Sequence, residues 1–598
     1  PLNDKPVFTS TNVTNGQAIS LFRIVFACLL LFDLFVNVLP FWEFLYSDKG
    51  VFTAYEAYEW TTIGISFYSY SDNPIYQTAL LTIYIGALLG LLLGIRSRLC
   101  AFVVYLLNYA LFDRNPAVNS NAEVLIICLL FWSCFLPLDR YWSFSSALRY
   151  EDKEDRETSR WPIIPILAIK IQIIVVYLYS GLFKLGGEAW LNGQALRYVS
   201  SEQYYANHWG EIMLGMVSDQ MLFYLAWAVI LFQIAFSAMI YSPIYNNVFR
   251  ALALLGAIAM HTGFILFLQV HMFPYLCFTY LIILIPDRWI NAALQGRRDR
   301  LSKIRIYYDP DCGFCRAVAN IFREFCLGPT APVRPSNTDD KAHKLLQEHN
   351  SWVVFSPEGE TYLKWEAVAY IMRQSPIFWI FGALTDLPFL KKPMVGVYNL
   401  IGDNRHKLSQ SFGFFLRPRA EIKPDRTQQL ICLAGIIIML IYATAQLPQV
   451  KKELPKSYHT LIQQVGLLQT WNIFAPTIVS FSRHMDIKAY DEKGNEIDFS
   501  PYIEGHYELR AGHYWYRSHR LLKYYEGMHL VKAPRHRMGF ARYICGKARE
   551  DGLPIYKIDM HFVVRHNYIA DDYTYVDWYY LCDDIINEGK WPQNNDKK

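Results

Sequence analysis

Lys170-Ile171-Gln172-Ile173-Ile174-Val175-Val176-Tyr177-Leu178-Tyr179-Ser180-Gly181-Leu182-Phe183-Lys184-Leu185, with Trp190 close behind, is the stretch that decides how this 598-residue chain is read. Together with the apolar residues before it, it is long enough to span a bilayer. It nevertheless carries Lys170, Gln172 and Lys184. Ionisable groups are expensive inside a membrane and are usually functional there. Lys184 stands at the far end, just before Gly186-Gly187, and is the candidate chemical centre. A lysine near a span end also has a plainer reading, in which it snorkels to the interface. Burial would instead leave a free amine able to act as a base.

Outward from this span, composition sets the class. The chain is 53% hydrophobic and 16% aromatic with 18% charged residues, and its apolar residues are clumped into long runs. The expected fold is an α-helical multi-pass membrane bundle of about nine spans. These fall near 18–38, 76–95, 99–111, 123–138, 163–184, 221–240, 249–267 and 273–285, with the ninth near 430–445. The polar start, Pro1 to Gln17, lacks a basic n-region, so the first span is expected to serve as the insertion signal. A formal charge of +4 implies no nucleic-acid partner. Arg96, Arg98, the 149–160 loop, Arg250 and the 288–303 run share one side. By the positive-inside rule that side is the cytoplasm, which puts the N-terminus inside and Lys184 at the outer end of its helix.

Between 303 and 424 the composition becomes that of a soluble domain. Residues 304–308 read as a strand and 309–312 as a turn, and Val318, Ile321, Phe322 and Phe325 fall at helical spacing. A hairpin is expected about Ser356-Pro357-Glu358-Gly359. An inserted α/β domain on the cytoplasmic side follows from this pattern. Cys312-Gly313-Phe314-Cys315 sits at its strand-to-helix turn, where the helix N-terminus favours thiolate and the second cysteine can resolve a mixed disulfide. Half a zinc site and incidental cysteines are the alternatives. Cys326 and His343 make a poor second ligand pair, so no metal is expected.

The ninth span (425–449) returns the chain to the outside, where period-two runs in 450–598 predict a mostly β domain. Cys545 and Cys582 either bridge there or stay unpaired. His506, His513, His519, His529 and His536 are irregularly spaced and read as a solvated face. In the bundle (1–302), His261 is either a packing residue or a polar partner of Lys184. Glu123, Arg114 and His271 are further polar groups that could line a cavity with them.

Two resemblances sharpen these expectations. Tyr308-Asp309-Pro310-Asp311-Cys312-Gly313-Phe314-Cys315 resembles the opening of the DCC family of thioredoxin-like thiol–disulfide oxidoreductases, over roughly 303–416. It implies a redox-active Cys312–Cys315 disulfide. Lys170-x-Gln172, Tyr177, Gly181, Lys184-Leu185 and Trp190 resemble the helix of vitamin K-dependent γ-carboxylases that carries their catalytic lysine. Gly86-Ala87-Leu88-Leu89-Gly90, Tyr141-Trp142-Ser143 and the passage from His261 to Met272-Phe273-Pro274 follow in the same order. Leu21-Phe22-Arg23-Ile24 is similar to the wider HTTM group of bacterial membrane proteins, and Trp471-Asn472-Ile473-Phe474-Ala475-Pro476 to the tail of HTTM–DCC fusions.

These resemblances imply an oxidoreductase or lyase of a bacterial inner membrane. Lys184 would deprotonate a reduced quinone of the vitamin K or menaquinol type, with His261 as its partner and O2, and in a carboxylase CO2, as reactants. Tyr177, Trp190, Glu123, Arg114 and His271 would lie on the cofactor side. The stretch Asn119-Ser120-Asn121-Ala122-Glu123 departs from the carboxylases, which carry a functional histidine there. The rival expectation is a non-catalytic maturation or assembly factor that binds an exported peptide or protein.

Overall fold

The computed structural model describes residues 16–60, 66–149, 162–202, 204–412, 425–478, 481–510, 513–528, 534–566 and 573–588. Among them, six helices are long and apolar enough to cross a membrane: Gly16–Tyr46, Pro74–Leu93, Ile163–Leu185, Asp219–Ile240, Asn246–Phe267 and Arg426–Ala445. Met272–Leu284 and Asp287–Leu301 meet at an 83° bend and make a seventh if counted as one span. Of the nine spans expected, six or seven are thus matched by such helices among the described residues. The third expected span is the helix Ser97–Arg114, which carries Arg98, Asp113 and Arg114. The fourth is Asn121–Ser133, whose 13 residues rise only about 20 Å against a hydrocarbon core of about 30 Å. Both pack against neighbouring helices, and apolar residues buried by protein look like apolar residues buried by lipid.

The charged groups of the first helix explain themselves in the structure. Arg23 is fully buried, and its guanidinium donates to the carbonyls of Leu138 (3.1 Å) and Trp142 (2.6 Å), closing the turn after the fourth apolar helix. Asp33, near the other end, meets Arg520 of the C-terminal region. Gln172 belongs to a buried amide–indole cluster with Gln469, Trp132 and Trp471, in which the Trp471 indole donates to Gln469 at 2.6 Å. That cluster ties the helix Ile163–Leu185 to the chain after the last span.

The insert has a four-stranded sheet. Arg305–Tyr308 runs parallel to Val333–Pro335 and antiparallel to Val353–Phe355, which pairs with Thr361–Leu363. The helix Gly313–Phe322 crosses over between the parallel pair. Ile304, Ile306, Ala319, Val354 and Ile371 form its core. The α/β expectation and the hairpin about 356–359 both match this arrangement.

The C-terminal region is corrected from mostly β to mixed. Lys557–His566 pairs antiparallel with Phe481–Tyr490 and with Tyr573–Leu581, and Glu496–Ile497 adds a short edge. Alongside lie the helices His519–Met528 and Pro534–Glu550. Their buried stripes (Leu521, Leu522, Tyr525; Phe540, Ile544, Ala548) are interleaved with Arg, His and Tyr, which hides the helical period. Cys545 and Cys582 are disulfide-bonded.

His506, His519 and His536 are buried, not on a solvated face. Burial holds the imidazoles of His506 and His536 down, to about 4. A lowered folded-state value means that stability is complete above the unfolded histidine range and is lost as pH falls toward 4. We therefore expect the C-terminal region to unfold on acidification between about pH 6.5 and 4, losing at most on the order of 3 kcal/mol per histidine. Proteolysis of the full chain across that range checks it. His506→Gln with His536→Gln should flatten the profile.

The insert and the C-terminal region lie at opposite ends of the bundle. Glu324 of the insert accepts from the Trp142 amide (2.7 Å), while Ser518 donates to the carbonyl of Asn37 (3.3 Å) at the other end of the first helix.

Candidate active site

The helix Ile163–Leu185 carries Lys184 to the bundle end that the C-terminal region covers. Gly181 lets the helix Asp219–Ile240 cross closely, since a Cβ there would lie 2.8 Å from Ile234 Cγ1. A Cβ at Gly187 would lie 2.1 Å from the Pro476 carbonyl oxygen. That close approach lets the Trp190 indole donate to the Phe474 carbonyl at 2.7 Å. Trp190 is thereby fixed as a wall, and Lys184 Nζ lies 4.9 Å from the centre of its ring. The only hydrogen bond of the amine among the described residues is a long one, 3.4 Å, to the Ser180 carbonyl. Lys184 is 5% exposed, so it does not snorkel into solvent.

Tyr177 lies two turns back on the same helix. Its ring stacks on Phe236, with centroids 4.0 Å apart, and its hydroxyl meets His261 Nε2 at 2.8 Å. The other imidazole nitrogen, Nδ1, is buried without a hydrogen-bond partner among the described residues, as is Gln233 Oε1. Lys184, Tyr177, Trp190, His261 and Gln233 line one small cavity of about 50 Å³. Val176, Phe264, Leu268 and Phe273 supply apolar walls. Four residues singled out in the sequence thus meet in space.

Three others do not join them. Glu123 caps its own helix through Ser120, is hydrogen-bonded to His519 and lies 3.4 Å from the Arg520 guanidinium. Arg114 donates to the Phe52 carbonyl (2.7 Å) and to Asp48 (3.0 Å), pinning the loop after the first helix. His271 touches the carbonyls of Tyr516 and Gln269 and lines a second, larger cavity of about 490 Å³. These three do not line the cavity at Lys184; each is held by groups of the bundle end or the C-terminal region. The larger cavity has a mixed lining that includes Glu202, Tyr205, Lys523 and Glu526, and shares Val199, Phe273, Ile473 and Phe474 with the smaller one. Tyr205 and Lys523 carried no sequence signal, since neither lies in a recognisable motif. Lys523 donates to Glu526 and to the Tyr205 oxygen, which hold its ammonium above the usual lysine range against the opposing effect of burial.

In the insert, Cys312 caps the helix Gly313–Phe322, its sulfur accepting from the Cys315 amide at 3.1 Å. The two cysteines are disulfide-bonded. Both are buried, 1% and 5% exposed. The helix Arg405–Phe412 packs against this one, with Ser409 Oγ 3.5 Å from where a Cβ of Gly313 would be and Arg405 paired to Asp309 at 2.8 Å. Arg405→Ala is expected to speed reduction of the disulfide by a dithiol about fivefold, the factor for losing roughly 1 kcal/mol of latch. Alkylation kinetics after quenching measure it, and an unchanged rate would show that this helix is no cover.

Comparison with known families decides the architecture. Residues 12–289 match the HTTM domain, and residues 306–411 match the DCC1-like thiol-disulfide oxidoreductase domain. The chain thus carries a region similar to the HTTM domain, followed by one similar to the DCC1-like domain. No solved structure matches it. The DCC1-like domain supports thiol–disulfide oxidoreductase activity, and the disulfide-bonded Cys312–Cys315 pair fits its redox-active site. The HTTM domain and its long apolar helices fit a multi-pass membrane protein with a redox-related role.

Proposed function

We propose that the HTTM domain is a quinone-dependent oxidoreductase of the carboxylase-like type, with Lys184 as its base. The observation that carries this reading is the meeting of Lys184, Tyr177, Trp190 and His261, from three separate elements, around one apolar cavity. The lining suits a reduced quinone ring. Aromatic and aliphatic walls would hold the ring, and the unpartnered His261 Nδ1 and Gln233 Oε1 are polar atoms for its oxygens. The enclosed space is small, so Phe273 and Phe474, shared with the larger cavity, would have to move aside on binding.

When bound, the quinone would supply, with dioxygen, the oxidising chemistry. Lys184 takes a proton from the hydroxyl of the reduced ring, and among the described residues no carboxylate lines its cavity to fix it as an ammonium. Tyr177 holds the His261 ring in place through Nε2, which leaves Nδ1 to face the ring. The larger cavity is the proposed seat of the substrate, a segment of an exported peptide or protein, on the outer face. Its mixed lining, with Glu202, Lys523 and Glu526 beside apolar walls, offers both charged and apolar contacts to a chain segment. We place the DCC1-like domain in the cytoplasm of a bacterial cell, as the basic loops suggest. There its dithiol would serve a separate thiol exchange.

The test is chemical. Full-length protein purified from membranes is extracted with solvent, and the extract is examined for a quinone. One quinone per chain, and consumption of added menaquinol that requires oxygen, are the expected results. An empty extract together with no menaquinol consumption would remove the quinone from the reading.

A further inference from the structure

In the described part of the DCC1-like domain, the large apolar side chains that face outward are confined to residues 377–401. Phe389 is 71% exposed, Ile377 68%, Leu400 66% and Trp379 53%. Two helices carry them, Trp379–Leu384 and Pro388–Asp403. On the second, Phe389, Pro393, Val397 and Leu400 are spaced by four, four and three residues, which puts them on one stripe. Tyr398 is on the other side, where its hydroxyl accepts from the Trp352 amide at 3.2 Å and anchors the helix to the domain core. The stripe therefore points away from the domain. A contiguous apolar face of this size on a folded domain marks a surface with a partner.

The neighbouring elements say what that partner is. The domain is entered from Asp287–Leu301, the helix that turns 83° from the apolar Met272–Leu284. The next described element after Arg405–Phe412 is the span Arg426–Ala445. Both ends of the domain are thus tied to the membrane. Other segments that expose large apolar side chains in this way, such as Pro74–Leu93 and Asn246–Phe267, are membrane spans. Lys391, Lys392 and Lys407 are exposed around the stripe, with Asp386 and Asp403 the acidic neighbours, and Asp386 is paired with Arg373. Tryptophan, an apolar stripe and flanking lysines are the make-up of a helix lying in an anionic bilayer interface.

We propose that Trp379–Leu384 and Pro388–Asp403 lie in the headgroup–acyl boundary of the leaflet on the DCC1-like side, with Phe389 and Leu400 in the acyl layer and the lysines at anionic headgroups. The inference rests on the membrane reading of the chain and is independent of any quinone.

It is tested on the full chain carrying Cys28→Ser and one added cysteine, Phe389→Cys, Leu400→Cys or, as a control, Lys344→Cys on the helix Asp340–His349. Each is labelled with an environment-sensitive fluorophore in nanodiscs of phosphatidylethanolamine and phosphatidylglycerol containing a lipid with a quencher high on its acyl chain. We expect several-fold quenching at 389 and 400 and none at 344. Equal signals at the three sites overturn the proposal. So does a label at 389 and 400 that lipid does not quench but that becomes shielded from aqueous quencher as the protein is concentrated, which would assign the face to a second copy. The substituted side chains are exposed, so the variants should fold.

Discussion

Lys184→Met is expected to lower menaquinol-dependent turnover by roughly a hundred- to ten-thousand-fold, the usual contribution of a general base. Methionine keeps the length and apolar character of the lysine stem, so the cavity stays filled and the contact with Trp190 survives. The loss would then report the amine itself. Lys170, near the opposite end of the same helix, is also buried, and Lys170→Met serves as the control for removing a buried lysine from this helix. Turnover measured in proteoliposomes should collapse in the first variant and persist in the second. If Lys184→Met keeps its turnover at normal expression, Lys184 is a packing residue and the proposed chemistry is wrong.

The second large effect is structural. Arg520 donates to both carboxylate oxygens of Asp33 at 3.0 Å and lies 3.4 Å from Glu123, and all three side chains are buried. Arg520→Ala would leave two carboxylates in a buried site without their cation. Breaking a buried pair from one side costs roughly 3–5 kcal/mol. Because the pair joins the first helix to the C-terminal region, the expected consequence is release of that region: faster proteolysis after the last span and a lower thermal midpoint in detergent. The double variant Arg520→Met with Asp33→Asn should recover part of the loss, since removing both partners removes the stranded charge. An Arg520→Ala protein as stable as its parent would mean that water reaches the cluster.

How much of this was legible in the sequence depended on the range of the signal. The strand, turn and hairpin of the DCC1-like domain follow from local spacing, because 304–308 and 352–363 carry their own period and turn residues. Lys184, Tyr177 and Trp190 could be grouped because they share one helix and its end. The partners of Glu123 were not legible, since His519 and Arg520 lie nearly four hundred residues away in a region read as solvated. The short helix Asn121–Ser133 was counted as a span because hydropathy does not distinguish burial against protein from burial against lipid. The helices of the C-terminal region were missed because tyrosine, histidine and arginine fill positions that a simple apolar stripe would leave to leucine.

The bridge between Cys545 and Cys582 has a use as a compass. Structural disulfides persist in oxidising compartments and are scarce where thiols are kept reduced. The chain carries two disulfide-bonded pairs, one that fits a redox-active site and one that joins a helix to the residue just after a strand in the C-terminal region. In intact cells treated with a membrane-impermeant reductant and then an alkylating tag, the tag should mark 545 and 582 while leaving 312 and 315 unmarked. The molecule would thus report its own orientation, with no added fusion.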